Sequence, residues 1–164
     1  MPDGNACLSG INPDLHQTGP VPDWRRLAVR GGAQRARMKS SMWLYAAAGY
    51  NVALAVFHLG FWRMFRWREE LPKLHPANQG VMQAMNAMLA FGFLLMAGLQ
   101  VLRADEMVAS PLGRTLMGGL MLFWLVRAAL QPVFFRGLPT ATNVAFVLLF
   151  LAGTGLHAMA LPME

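Results

Sequence analysis

Apolar residues crowd into four stretches of the chain, 42–62, 81–102, 113–135 and 141–161, of 21, 22, 23 and 21 residues. Polar positions inside them are few and show no two-residue alternation over short segments, which excludes barrel strands. Each stretch reaches the roughly 20 residues a helix needs to cross about 30 Å of hydrocarbon. A helix also satisfies its own backbone where no water is available. The pattern predicts an all-α protein, a four-helix transmembrane bundle with antiparallel helices.

The intervening segments are polar. Residues 63–80 hold Arg63, Arg66, Arg68, Glu69, Glu70, Pro72, Lys73 and Pro76, and residues 103–112 hold Arg103, Asp105, Glu106 and Pro111. Residues 136–140 read Arg-Gly-Leu-Pro-Thr, a turn that makes the last two spans a hairpin. Trp43 and Trp62 bracket the first span and Trp67 follows it, the interfacial placement that tryptophan favours. From Phe61 to Leu71 aromatics mix with arginines, and the first span is expected to run on into a short helix at headgroup level or to extend into water.

Residues 1–40 have another character. Gly, Pro and Asp come first, then Arg25, Arg26, Arg30, Arg35, Arg37 and Lys39. The expectation is a disordered basic N-terminal tail over 1–40, followed by the transmembrane domain over 41–164. No apolar run precedes residue 42, so no early signal peptide is expected, and the first span is kept as an anchor. Met38 is a second candidate start, which would leave residues 1–37 outside the native chain.

Composition narrows the class. Charged residues make up 13% of the chain and hydrophobic ones 55%, against about 25% charged in ordinary soluble domains. Too little charge is present to cover a water-facing surface. The lone cysteine, Cys7, supports neither a disulfide framework nor a thiolate metal site. The net charge of +6 belongs to loops and tail that face lipid headgroups; it forms no basic face of a nucleic-acid-binding domain. Orientation depends on the tail. With it, the side of the N-terminus, side A, carries eight basic residues against five on side B, which places side A in the cytoplasm. A start at Met38 leaves three and inverts the assignment.

Polar residues within the spans are costly and therefore informative. Taking 1.5 Å per residue from the middle of each run, His58 lies about 9 Å toward side B, Asn86 about 8 Å, Arg127 about 5 Å, Gln131 about 10 Å and Asn143 about 12 Å. Gln79, Gln83 and Asn86 share a helix face by spacing, as do Arg127 and Gln131. The expectation is one polar ligand pocket in that leaflet, lined by His58, Gln83, Asn86, Arg127, Gln131 and Asn143. Arg127 anchors it, snorkels toward side B or is neutralised by the loop acids Glu69 and Glu70, and Pro132 frees the carbonyl of Ala128 beside it. His58 either carries a proton, ligates a metal or haem, bonds a ligand, or is a satisfied interior histidine. A haem shared with His157 is disfavoured, because His157 lies about 9 Å toward side A. Gln100, Thr154 and His157 read as packing or hydrogen-bonding residues. Gly92, Gly98, Gly118, Gly119, Gly153 and Gly155 read as positions of close helix approach. Met82, Met85 and Met88 read as filler rather than a copper path. No cofactor and no metal are expected.

His58-Leu-Gly-Phe-Trp-Arg-Met-Phe-Arg-Trp67, then Asn78-Gln79-Gly80-Val-Met-Gln83-Ala-Met-Asn86, then Arg127-Ala-Ala over residues 42–161 resemble small bacterial four-span integral membrane proteins of unknown function. The resemblance implies a multi-pass protein of a bacterial inner membrane and no particular activity. Function is expected to be the binding of a lipid-like, amphipathic or quinone-like molecule among membrane lipids, in a monomer or homo-oligomer. The alternative is a small transporter or transporter accessory subunit, though no carboxylate lies within a span to carry a proton. A membrane enzyme would have to use His58 as acid–base with Arg127 stabilising charge, and no nucleophile–base pair is visible.

Overall fold

A computed structural model describes residues 23–161. Contacts divide the chain into residues up to 33 and residues from 34 onward, and the bundle is a property of the second unit. Among the described residues there are seven α-helices and no strand: α1 (Asp23–Leu59), α2 (Phe61–Met64), α3 (Trp67–Glu70), α4 (Pro76–Leu102), α5 (Ala104–Ala109), α6 (Pro111–Phe134) and α7 (Thr140–Ala160). Four of them, α1, α4, α6 and α7, are long and apolar enough to cross a membrane. The chain is a multi-pass, all-α membrane protein.

The expected tail is corrected in part. Residues 23–40 are helical and continue without a break into the first span. Pro22 is the last proline before the span. Beyond it, Asp23 in the first turn and then Leu, Ala, Arg, Gln, Met and Lys favour helix enough to carry Gly31 and Gly32. Residues 1–22 of that expectation lie outside the described residues.

Helix starts obey local chemistry. Pro76 and Pro111 open α4 and α6, where a missing N–H costs nothing. The Ser110 hydroxyl accepts from the Gly113 N–H at 3.0 Å, and His75 Nδ1 accepts from the Ala77 N–H at 3.3 Å. His75 is therefore the N-cap of α4. The first span does not run on as one helix. It stops at Leu59, and two short helices come next, separated by Arg66 in the left-handed region (φ 50°, ψ 42°).

The core has two apolar layers. Toward side A, Leu44, Ala104, Met107, Val108, Met117 and Ala160 pack together, so the short connecting helix α5 is tucked into the bundle. Here backbone meets backbone: a Cβ on Gly113 would lie 2.2 Å from the Met107 carbonyl oxygen. Deeper in, Leu54, Ala55, Phe93, Trp124, Ala128 and Phe150 form the second layer. Trp124 is its centre, stacked on Phe93 (5.4 Å) and Phe150 (6.0 Å) with Tyr50 edge-on at 5.2 Å. Large apolar side chains such as Val56, Met85, Met88, Phe91, Leu125, Phe134 and Leu148 point outward. In water that surface would be untenable; in hydrocarbon it is the lipid-facing coat.

Of the glycines expected at close approaches, Gly153 is at one. A Cβ there would fall 2.8 Å from the Tyr50 hydroxyl oxygen. At Gly92, Gly98, Gly118, Gly119 and Gly155 a Cβ would meet nothing within 4 Å.

Candidate functional site

The six residues expected to share a pocket sort into separate arrangements. Asn86, buried on α4, donates through Nδ2 to the backbone carbonyl of His58 at 3.0 Å, tying α4 to the end of α1. The His58 ring turns away from that bond. Its Nδ1 contacts the Leu54 carbonyl at 3.1 Å, and its ring meets Phe61 (4.6 Å, stacked) and Phe93 (5.3 Å, edge-on). Gln83 stays within its own helix, donating to the Gln79 carbonyl at 3.2 Å.

Gln131 and Asn143 stitch the hairpin. Gln131 Nε2 donates to Asn143 Oδ1 at 3.0 Å, and Asn143 Nδ2 donates to the Phe135 carbonyl at 2.8 Å. That carbonyl lies at the C-terminal end of α6, where helical partners run out, so the asparagine closes the end of one span from the start of the next.

Arg127 stands on aromatic faces. Its guanidinium carbon lies 4.2 Å from the Phe150 ring centroid and 5.3 Å from that of Phe135. It makes no hydrogen bond or ion pair with any described residue, and it is half-buried. Three rings, Phe93, Trp124 and Phe150, stand in series between His58 and Arg127. The space where the two would meet is filled by aromatic packing.

A more tightly joined polar cluster lies on other residues. Asn51, Gln100 and His157, from α1, α4 and α7, are each at most 1% exposed. Asn51 Nδ2 donates to Gln100 Oε1 at 2.9 Å, and Gln100 Nε2 lies 3.1 Å from His157 Nε2. His157 Nδ1 lies 2.7 Å from the Gly153 carbonyl. Along α1 and α7 these bonded side chains sit between the two apolar layers. Their far end is open: Asn51 Oδ1 is buried with no hydrogen-bond partner. The sequence signal was the cost of three amide or imidazole groups, one in each of three spans.

At the mouth of the bundle, Trp62, Arg63, Arg66, Arg68 and Glu69 line an open cleft of about 470 Å³ in the connection from α1 to α4. Among the described residues, no three of His, Cys, Asp or Glu gather as metal ligands. Met82, Met85 and Met88 are all exposed on α4.

No protein-family model, curated protein or solved structure matches the chain. Function is therefore read from the chemistry of these side chains.

Proposed function

We propose that the protein binds an amphipathic molecule within the membrane, with Arg127 taking an anionic or carbonyl-bearing head and the outward apolar surface of α6 and α7 taking the tail. The observation that carries this reading is Arg127 itself: a guanidinium within a membrane-spanning helix, laid on Phe150 at 4.2 Å, with no acceptor from any described residue. Placing such a group at the centre of a span costs about 2.5–3.5 kcal/mol on insertion scales. A cation–π contact returns about 0.5–2 kcal/mol. The ring contact satisfies none of the guanidinium N–H donors, and a phosphate, carboxylate or quinone carbonyl would accept from them. The resemblance to bacterial four-span proteins supports a bacterial inner membrane as the location.

Native mass spectrometry of the purified protein with added decylubiquinone tests this. Arg127→Ala should lose bound ligand about tenfold or more, and Arg127→Lys should keep part of it. Equal occupancy in wild type and Arg127→Ala, with unchanged melting, would overturn the reading.

The transporter reading is favoured by a different observation, the bonded series Asn51–Gln100–His157 through three helices. It moves the proton-carrying role from His58 to His157. Proteoliposomes with an entrapped pH dye decide it. Under this reading wild type and His58→Gln dissipate a pH gradient and His157→Phe does not; no dissipation by wild type removes it.

A further inference from the structure

We propose that the cleft between α1 and α4 is a binding site for the phosphate headgroup of an anionic phospholipid. Aromatics and arginines alternate closely in the sequence from Phe61 to Arg68. Once α1 stops at Leu59, the chain makes two short helices, and Arg66 between them takes the left-handed conformation. It is the one non-glycine residue with positive φ among the described residues. A conformation that disfavours side chains persists when surrounding packing holds it, and here the packing is visible. Trp67 is 5% exposed and meets Phe61 at 5.9 Å and Trp62 at 5.7 Å, both edge-on. Phe61 in turn stacks on His58 in the last turn of α1. The cleft therefore stands on an aromatic base joined to a spanning helix.

Its charge is unbalanced. Three guanidinium groups and one carboxylate line it. Glu69 is bound by Arg66, and the next acid, Glu70, is bound by Lys73 at 2.8 Å. Arg63 and Arg68 make no hydrogen bond or ion pair with any described residue. Two free guanidinium forks in one cleft match the oxygens of a phosphate better than a single-point cation would. Position selects the source of that phosphate. The cleft begins three residues after one span-length apolar helix and ends before the next, and a connection that close to two spans falls at headgroup depth. Trp62, 44% exposed, supplies an amphipathic ring of the kind that favours that depth, and Phe65, 46% exposed, adds apolar area close by in sequence. The site is independent of the Arg127 reading, since Arg127 lies inside α6.

The test uses the full-length chain in phosphatidylcholine nanodiscs doped with phosphatidylglycerol, with lipid retention read by native mass spectrometry. Arg63→Gln/Arg68→Gln should weaken phosphatidylglycerol retention by about 10- to 30-fold. Arg30→Gln/Arg35→Gln removes the same charge from an exposed part of α1 and should change nothing. Equal losses from the cleft pair and the α1 pair would reduce the effect to net charge and overturn the site. Displacement of the lipid by millimolar inorganic phosphate would assign the cleft to free phosphate and overturn the lipid. If the cleft variant does not fold, brominated lipid on wild type decides. Brominated phosphatidylglycerol should quench the part of the fluorescence that Trp62→Phe removes, more than brominated phosphatidylcholine does. Equal quenching overturns the proposal.

Discussion

Gln100 Nε2 lies 3.1 Å from His157 Nε2. An amide nitrogen can only donate, so the ring nitrogen must accept, and the imidazole proton sits on Nδ1. That proton is donated to the Gly153 carbonyl at 2.7 Å. One contact thus assigns the tautomer of a fully buried histidine and the polarity of the bonded series that begins at Asn51.

Removing the middle of this series should be costly. Gln100→Leu leaves Asn51 Nδ2 and His157 Nε2 buried without partners, and the expected loss is roughly 1–3 kcal/mol. Gln83→Leu, whose amide bonds only its own helix, should change stability by less than about 0.5 kcal/mol. Unfolding in detergent micelles compares the two; equal losses would show that the buried bonds contribute nothing special.

Gly153 and Gly155 make a matched pair. Alanine at 153 drives a methyl into the Tyr50 ring, whose hydroxyl is held by the Leu149 carbonyl at 2.9 Å. The expected cost is about 1–3 kcal/mol of overpacking. Alanine at 155 meets open space and should be neutral or stabilising by up to about 1 kcal/mol through helix propensity. Melting temperatures of the two variants check this.

A double-mutant cycle on Gln131→Leu and Asn143→Leu measures the hairpin stitch. Interhelical hydrogen bonds in membranes average about 0.6 kcal/mol, and the coupling should fall near that value. A coupling of zero would mean that the contact orders the turn without stabilising it.

The Lys73 ammonium, by hydrogen bond first and by charge second, holds the Glu70 carboxyl below its ordinary range. A depressed folded value contributes stability above the unfolded pKa and loses it as pH falls through the folded value. Glu70 is fully exposed, so the effect is small. Wild type should melt slightly above Glu70→Gln at neutral pH, and the two curves should converge in acid. A gap that widens in acid would contradict the pairing.

The spans were legible because a helix crossing hydrocarbon needs a long apolar run, and nothing else in a chain looks like one. The helical start at Asp23 was not, because arginine density and two adjacent glycines read as a tail until the absence of any further proline is given its weight. The polar contacts were harder. Centring each run on its own midpoint puts Asn51 about 2 Å and Gln100 about 13 Å from mid-membrane. They are nevertheless bonded at 2.9 Å. Helices slide and tilt against one another until side chains interlock, so depth counted within one run does not carry to the next.

By itself the sequence determined the class: too few charges for a water-soluble surface, and four runs whose backbones can be satisfied only as helices. It also determined that Arg127 would be expensive. Only the tertiary structure decided which polar groups meet. Asn51, Gln100 and His157 come together, while His58 and Arg127 are kept apart by three aromatic rings. The reason is physical. Burial in a span depends on the composition of one segment, whereas a hydrogen bond between helices depends on their relative rotation and offset, which packing across all four determines.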